Sequence, residues 1–249
     1  QGYNIIFGTT FGYIDAMAEM AEEYPDVIFL HCSGYLNNDT NFANYFGKMY
    51  QPRYLSGLAA GAMTDSNKIG YVAAFPIPEV IRGINAFAAG VNEVNPEATV
   101  EVVWTFTWFG PEAETQAANA LLEKGADVLA QHQDSTATGL AAEAAGAKWI
   151  SYNTAYGQDS APEAFVTAPV WDWGPYYVNI VEQIIDGTFT TESYWGGMET
   201  GLVSLYDLSS DVPSDTATLI AEKTEAIIDG SLEVEIVEEE FISNVIGTV

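Results

Sequence analysis

Basic residues are what this 249-residue chain has least of: 7 Lys and Arg stand against 35 Asp and Glu, a formal charge of −28 with a pI near 4.1. A duplex repels such a surface and finds no basic patch through which to release its counterions, so nucleic-acid binding is excluded. Cysteine is nearly absent as well. The single Cys32 leaves no internal disulfide framework; as a nucleophile it would need a base beside it, and a small buried residue at a strand end is the plainer reading. His31 and His132, the 2 histidines, lie far apart in sequence and offer no close ligand spacing for a metal. No apolar run reaches the ~18 residues of a membrane span, and no charged-then-apolar leader or acylated cysteine stands at the amino terminus. The phosphate loop G-x-x-x-x-G-K-[ST], G-x-G-x-x-G after a strand, the elbow G-x-S-x-G and H-E-x-x-H are missing too. No catalytic residue, metal or cofactor is therefore expected.

What is there is a folded globule in an acidic coat. Hydrophobic residues make up 48% of the chain and aromatics 13%, too many for a disordered acidic protein. The acidity runs through the whole length, and self-repulsion on that scale suits molar salt, where the Debye length is only ~3 Å; adaptation to high salinity is the expectation. Short β-rich runs (4–8, 27–32, 41–46, 68–75, 99–106, 127–131, 148–152, 165–170) alternate with helical patterns (14–23, 52–63, 78–94, 111–124, 138–145, 174–185). That order predicts an α/β fold with mostly parallel sheets covered by helices on both faces. After residue 187 the rhythm changes to a strand at 201–208, a helix at 213–229 and an acidic extended piece at 232–242. Asn38-Asp39-Thr40 is a glycosylation sequon in a loop-like stretch, as readily chance as use.

Rings and hydrogen-bonding groups cluster where the strands end, the edge at which open α/β sheets bind ligands. Phe11 and Tyr13 follow the first strand, Phe75 to Glu79 the strand at 68–75, and Trp108 and Phe109 the next. His132 and Asp134, then Tyr152 and Asn153, then Trp171 and Trp173 follow the later strands. Such a set suits a pocket for a flat, polar, uncharged molecule. Each member also has a plain reading. Trp108 and Phe109 could pack between helix and sheet, His132 beside Asp134 could be a polar turn, and Asp134 or Asp172 could cap a helix. An enzyme of the nucleoside-hydrolase kind, using Asp134, Asp159 or Asp172 as acid or base, is the alternative; it would be expected to carry an aspartate-rich metal cluster near a strand end, and none is present. A regulator's effector domain would need an attached DNA-binding segment, which this sequence does not contain.

Four blocks carry a resemblance: Asn44 to Gly57 (NYFGKMYQPRYLSG), Pro76 to Asn85 (PIPEVIRGIN), His132 to Thr136 (HQDST) and Trp171 to Tyr177 (WDWGPYY). They are similar, in collinear order from residue 1 to about 235, to the basic membrane protein family of extracytoplasmic substrate-binding lipoproteins of ABC importers. The resemblance implies the type I periplasmic-binding-protein fold, two lobes joined by three hinge crossings, with residues 1–66 and 165–195 in the first lobe and 67–164 and 196–249 in the second. It implies a purine in the cleft, an ABC permease as partner, and anchoring at the outer face of the cell membrane through a lipid that this sequence lacks. An aromatic at the place of Trp108 stacks on the base there, and the turn at Asp134 faces it. Nucleoside-binding members carry an acid where Asn153 stands and a lysine where Trp171 stands; their loss points to a bare nucleobase, adenine-like by the W-G-P-Y-Y and H-x-D-S-T blocks. His132, Asp134 and Asn153 are then expected to read the edge of the base, Trp171 or Trp173 to assist Trp108, and Phe11 and Tyr13 to close the first-lobe side. Against the family pattern about 60–80 residues, roughly two βα units, are expected to be missing ahead of residue 1, which leaves the first lobe incomplete.

Overall fold

The computed structural model describes residues 2–247. The chain runs β1 (Ile5–Gly8), α1 (Ile14–Glu23), β2 (Ile28–Cys32), β3 (Phe42–Gly47), α2 (Tyr50–Met63), β4 (Lys68–Ala73), α3 (Pro78–Val94) and β5 (Thr99–Trp104). It continues through α4 (Pro111–Glu123), β6 (Val128–His132), α5 (Ala137–Ala145), β7 (Lys148–Ile150), α6 (Gly157–Ser160), β8 (Phe165–Thr167) and β9 (Pro169–Trp171). Last come α7 (Gly174–Asp186), β10 (Tyr194–Gly196), β11 (Val203–Leu205), α8 (Ser214–Ile228) and β12 (Val245–Ile246).

These elements form two compact units, Gln1–Lys48 with Asp172–Leu202, and Met49–Trp171 with Val203–Val249, so the chain passes from one to the other three times. Unit 1 holds a four-stranded parallel sheet in the order β1-β2-β3-β10. Unit 2 holds a six-stranded parallel sheet, β12-β5-β4-β6-β7-β8, and a two-stranded antiparallel ribbon of β11 and β9. The α/β class with mostly parallel sheets is therefore the observed one.

The lobe boundaries at 66, 165 and 196 do not coincide with the divisions between these units, and packing explains why. A Cβ on Gly57 would stand 2.0 Å from the Phe87 carbonyl oxygen, and one on Gly90 2.1 Å from that of Tyr54. Glycine thus lets the α2 and α3 backbones touch, which ties α2 to unit 2 and moves the first crossing back to 48/49. The run at 165–170, expected as one strand, is two. Pro169 has no N–H to continue the ladder, so β8 stays beside β7 while β9 leaves to pair with β11. Both remain in unit 2, and the second crossing falls at 171/172.

The core of unit 2 gathers Val72, Leu121, Leu129, Trp149 and Phe165. Trp149 has no exposed surface, and its Nε1–H donates to Gln131 Oε1 at 3.0 Å. The acidic piece at 232–242 forms no strand and is held by a side chain rather than by a sheet. Asn85 Nδ2 donates to the Val237 and Glu240 carbonyls at 2.9 and 2.8 Å, and its Oδ1 accepts from the Ile242 N–H at 3.1 Å. No helix among the described residues is long and apolar enough to cross a membrane.

Candidate functional site

Parallel strands in register bring their carboxyl ends to one edge, and in unit 2 this places the loops after β4, β5, β6 and β7 side by side. The loop after β5 is pinned at both ends. Thr105 and Phe106 donate their N–H groups to the Ala73 and Ala74 carbonyls at 2.8 and 2.9 Å, and the Asp134 N–H donates to the Trp108 carbonyl at 2.9 Å. Phe106 takes a φ of 56°, a left-handed conformation that a side chain seldom adopts. Trp108 is half-buried, its ring centroid 5.4 Å from Phe75 and 6.1 Å from His132.

Asp134 is exposed at the mouth of the loop after β6. Desolvation of its carboxyl, and then the negative charge of Glu114, push its pKa up. Glu114 is itself wholly buried and accepts from Gly110 N–H at 3.0 Å and Ser135 Oγ at 2.5 Å, holding the loops after β5 and β6 together. Asn153, after β7, sits at φ 58° and bridges to Val170; its Oδ1 is buried without a hydrogen-bond partner. Trp171 closes β9 opposite Val203. Trp108, His132, Asp134, Asn153 and Trp171 thus all belong to unit 2.

Phe11, Tyr13 and Trp173 belong to unit 1. Phe11–Tyr13 is a single 3-10 turn after β1, anchored by a 2.9 Å contact between His31 Nε2 and the Thr10 carbonyl; Tyr13 is 54% exposed. Trp173, expected as a ligand ring, packs within a cluster of its own unit: its centroid lies 5.4 Å from Tyr45, 6.3 Å from Tyr176 and 6.0 Å from Tyr177. His132, expected to read the ligand's edge, has no exposed surface, and its Nε2 lies 3.1 Å from Glu79 Oε2.

Arg53 escaped the sequence reading, whereas Glu79 and Tyr152 were named there among the strand-end groups without being singled out as ligand-binding. Glu79 stands in the first turn of α3, Arg53 lies buried in α2 with its Cζ 5.0 Å from the Tyr152 ring centroid, and Tyr152 lies 4.7 Å from His132. Burial pushes the Glu79 carboxyl up, but His132, Arg53 and Arg82 outweigh it and hold the group down at about 2. The one signal in the sequence was an arginine inside the Ala/Gly-rich run at 52–63. No cluster of His, Cys, Asp or Glu suited to a metal exists among the described residues.

Two α/β units with parallel sheets, crossed three times by the chain, define the class of type I periplasmic-binding-protein folds. A solved solute-binding protein of an ABC transporter system from Conexibacter woesei superposes with a TM-score of 0.74 at 25% identity, over 94% of this chain and 80% of that one. The model of the Bmp family, described as ABC transporter substrate-binding protein PnrA-like, matches residues 1–237, and the chain belongs to that family. A Haloferax volcanii relative, named as an ABC transporter glucose-binding protein, is 46% identical over 93% of this chain and 59% of its own length. A Brucella abortus relative named as a purine-binding protein is 40% identical over 91% of this chain and 64% of its own. The chain thus spans less than two thirds of either relative.

Proposed function

We propose that this chain belongs to the extracytoplasmic substrate-binding component of an ABC importer and takes a purine nucleobase, adenine-like, for delivery to its permease. The observation that carries the reading is the grouping in unit 2 of one half-buried indole with acceptors on neighbouring strand ends. Trp108 offers a stacking face, while the Asp134 carboxylate and the unpartnered Asn153 Oδ1 accept N–H groups such as the exocyclic amine and ring N–H of adenine. An amide at 153 and an indole at 171 supply neither of the charges that would grip ribose hydroxyls, which favours the base over the nucleoside. Phe11 and Tyr13 of unit 1 are proposed to cover the bound ligand from their side. The purine-binding name of the Brucella relative agrees with this ligand. Attachment at the outer face of the membrane through a lipid belongs to the same proposal.

Calorimetry with adenine, adenosine and glucose in molar KCl tests it. Base–aromatic stacking is worth ~1–3 kcal/mol and an unmet buried polar group a similar ~1–3 kcal/mol. Trp108→Ala and Asp134→Ala should therefore each weaken adenine binding about tenfold or more with the fold intact. Unchanged affinity in both variants removes the site from these residues. Tight glucose binding by the parent, with none of adenine, replaces the nucleobase by the sugar in the name of the Haloferax relative. Release of free base from adenosine would make the protein a hydrolase.

A further inference from the structure

Buried polar groups that the purine reading leaves unused gather around one imidazole. His132 ends β6, and its Nε2 lies 3.1 Å from Glu79 Oε2. At that distance the imidazole is within ion-pair reach of the carboxylate, but Nε2 makes no hydrogen bond there. Its Nδ1 has no partner and lies 3.7 Å from where a Cβ of Gly83 would stand, one turn further along α3. Arg53 fills the same corner from α2. Its Nε and Cδ are 3.0 and 2.9 Å from that point, its Nη1 donates to Tyr71 Oη at 3.1 Å, and its Nε and Nη2 are without partners. A side chain at 83 would crowd Arg53, while the imidazole would stay at ordinary contact distance. Two rings of the proposed site, meanwhile, lie close to the imidazole and tilted to it: Trp108 at 6.1 Å and 48°, Tyr152 at 4.7 Å and 43°.

The geometry points to Glu79 as a positioning residue of the binding face: its carboxylate, 3.1 Å from His132 Nε2, holds the imidazole where it contacts both Trp108 and Tyr152, and so sets the attitude of the stacking indole. The inference rests on the purine reading and deepens it. The negative charge of a carboxylate 3.1 Å from Nε2 favours a proton there over a lone pair, so the proton belongs on Nε2, and the neutral tautomer follows from the company His132 keeps. Arg53 and Arg82 balance the carboxylate; Tyr152 lies against the ring, with Tyr71 and Asp134 near Tyr152 in turn. Burial and the two arginines keep the imidazole uncharged, Glu79 opposing them only in part. The edge of the ligand is then read by Asp134 and Asn153, while His132 acts from behind Trp108.

Only His31 and His132 contribute to the nitrogen spectrum of histidine-labelled protein, and a His31→Gln variant identifies the remaining signals. The parent is expected to show His132 as the Nε2–H tautomer near neutral pH. Glu79→Leu should mix the tautomers and weaken adenine binding about tenfold at unchanged circular dichroism. Glu79→Gln, which keeps an acceptor oxygen, should hold the tautomer and restore affinity to within about threefold of the parent. An Nδ1–H tautomer in the parent, or Glu79→Leu binding adenine as tightly as the parent, overturns the proposal. A parent that binds no purine defeats the ligand reading instead, and the tautomer then decides alone whether Glu79 holds His132. Should Glu79→Leu fail to fold, the parent spectrum and Glu79→Gln still decide.

Discussion

Histidines buried without charge and a carboxylate held charged make the response to acid predictable in sign. Burial lowers the pKa of His132 and His31 below 6.5; Glu79 and the Thr10 and Phe11 carbonyls, respectively, only partly offset it. Between the folded value and 6.5 the unfolded chain binds protons that the folded one refuses, so stability falls as pH drops through that window. Glu79 adds to the loss lower down: its contribution is complete above 4.5 and disappears as pH falls toward about 2. In molar salt the melting temperature should therefore be lower near pH ~5.5 than near pH ~7.5, and His31→Gln should flatten part of the slope. A melting temperature that holds or rises on acidification would contradict this. The same residues mark the limit of what could be read beforehand. Trp108, Asp134 and Asn153 could be named as candidates because each closely follows a strand run. Glu79 was named only among the groups after the strand at 68–75, and its pairing could not be read, since its partner His132 arrives only when β6 lies down beside β4. The ring cluster around Trp173 could not be read either, because nothing local announces that Tyr45 of β3 will meet it.

Helices with strong punctuation were read to the residue. Pro78 opens α3 and Asn95-Pro96 stops it, just as Pro25 stops the chain soon after α1. Strands of two or three residues, such as β10 and β12, carry too little periodicity to be seen; they exist because β3 and β5 offer them an edge. The contact between α2 and α3 is another tertiary fact that no window contains. Because a Cβ at Gly90 would meet the Tyr54 carbonyl oxygen at 2.1 Å, and a helix backbone cannot give way as a side-chain end can, Gly90→Ala should destabilise by ~1–3 kcal/mol. Helix propensity alone argues the opposite sign, favouring alanine by ~1 kcal/mol. The melting temperature of this variant separates the two: a drop supports backbone contact, and a gain refutes it.

Charge acts on the molecule as a whole. Lys48, Arg82, Lys124, Lys148 and Lys223 each pair with a carboxylate, Arg53 is buried, and Lys68 donates to the Lys124 carbonyl at 3.0 Å. Most of the 35 acids therefore face only one another and solvent. Raising salt from ~0.1 M to ~1 M shortens the Debye length from ~10 Å to ~3 Å, so the melting temperature should climb with KCl over that range; a flat or falling profile would sink the salinity reading. The triple crossing of the chain has a consequence for synthesis. Residues up to Lys48 supply three strands of the unit 1 sheet, but the fourth, β10, lies beyond Trp171. At ~5–20 residues per second a ribosome needs roughly 7–30 s to reach it. Unit 2 begins in that interval yet waits in turn for β11, α8 and β12. Neither body can be finished before the other has been started, so the nascent chain spends its synthesis as two open sheets, and holding chaperones have a defined interval in which to act.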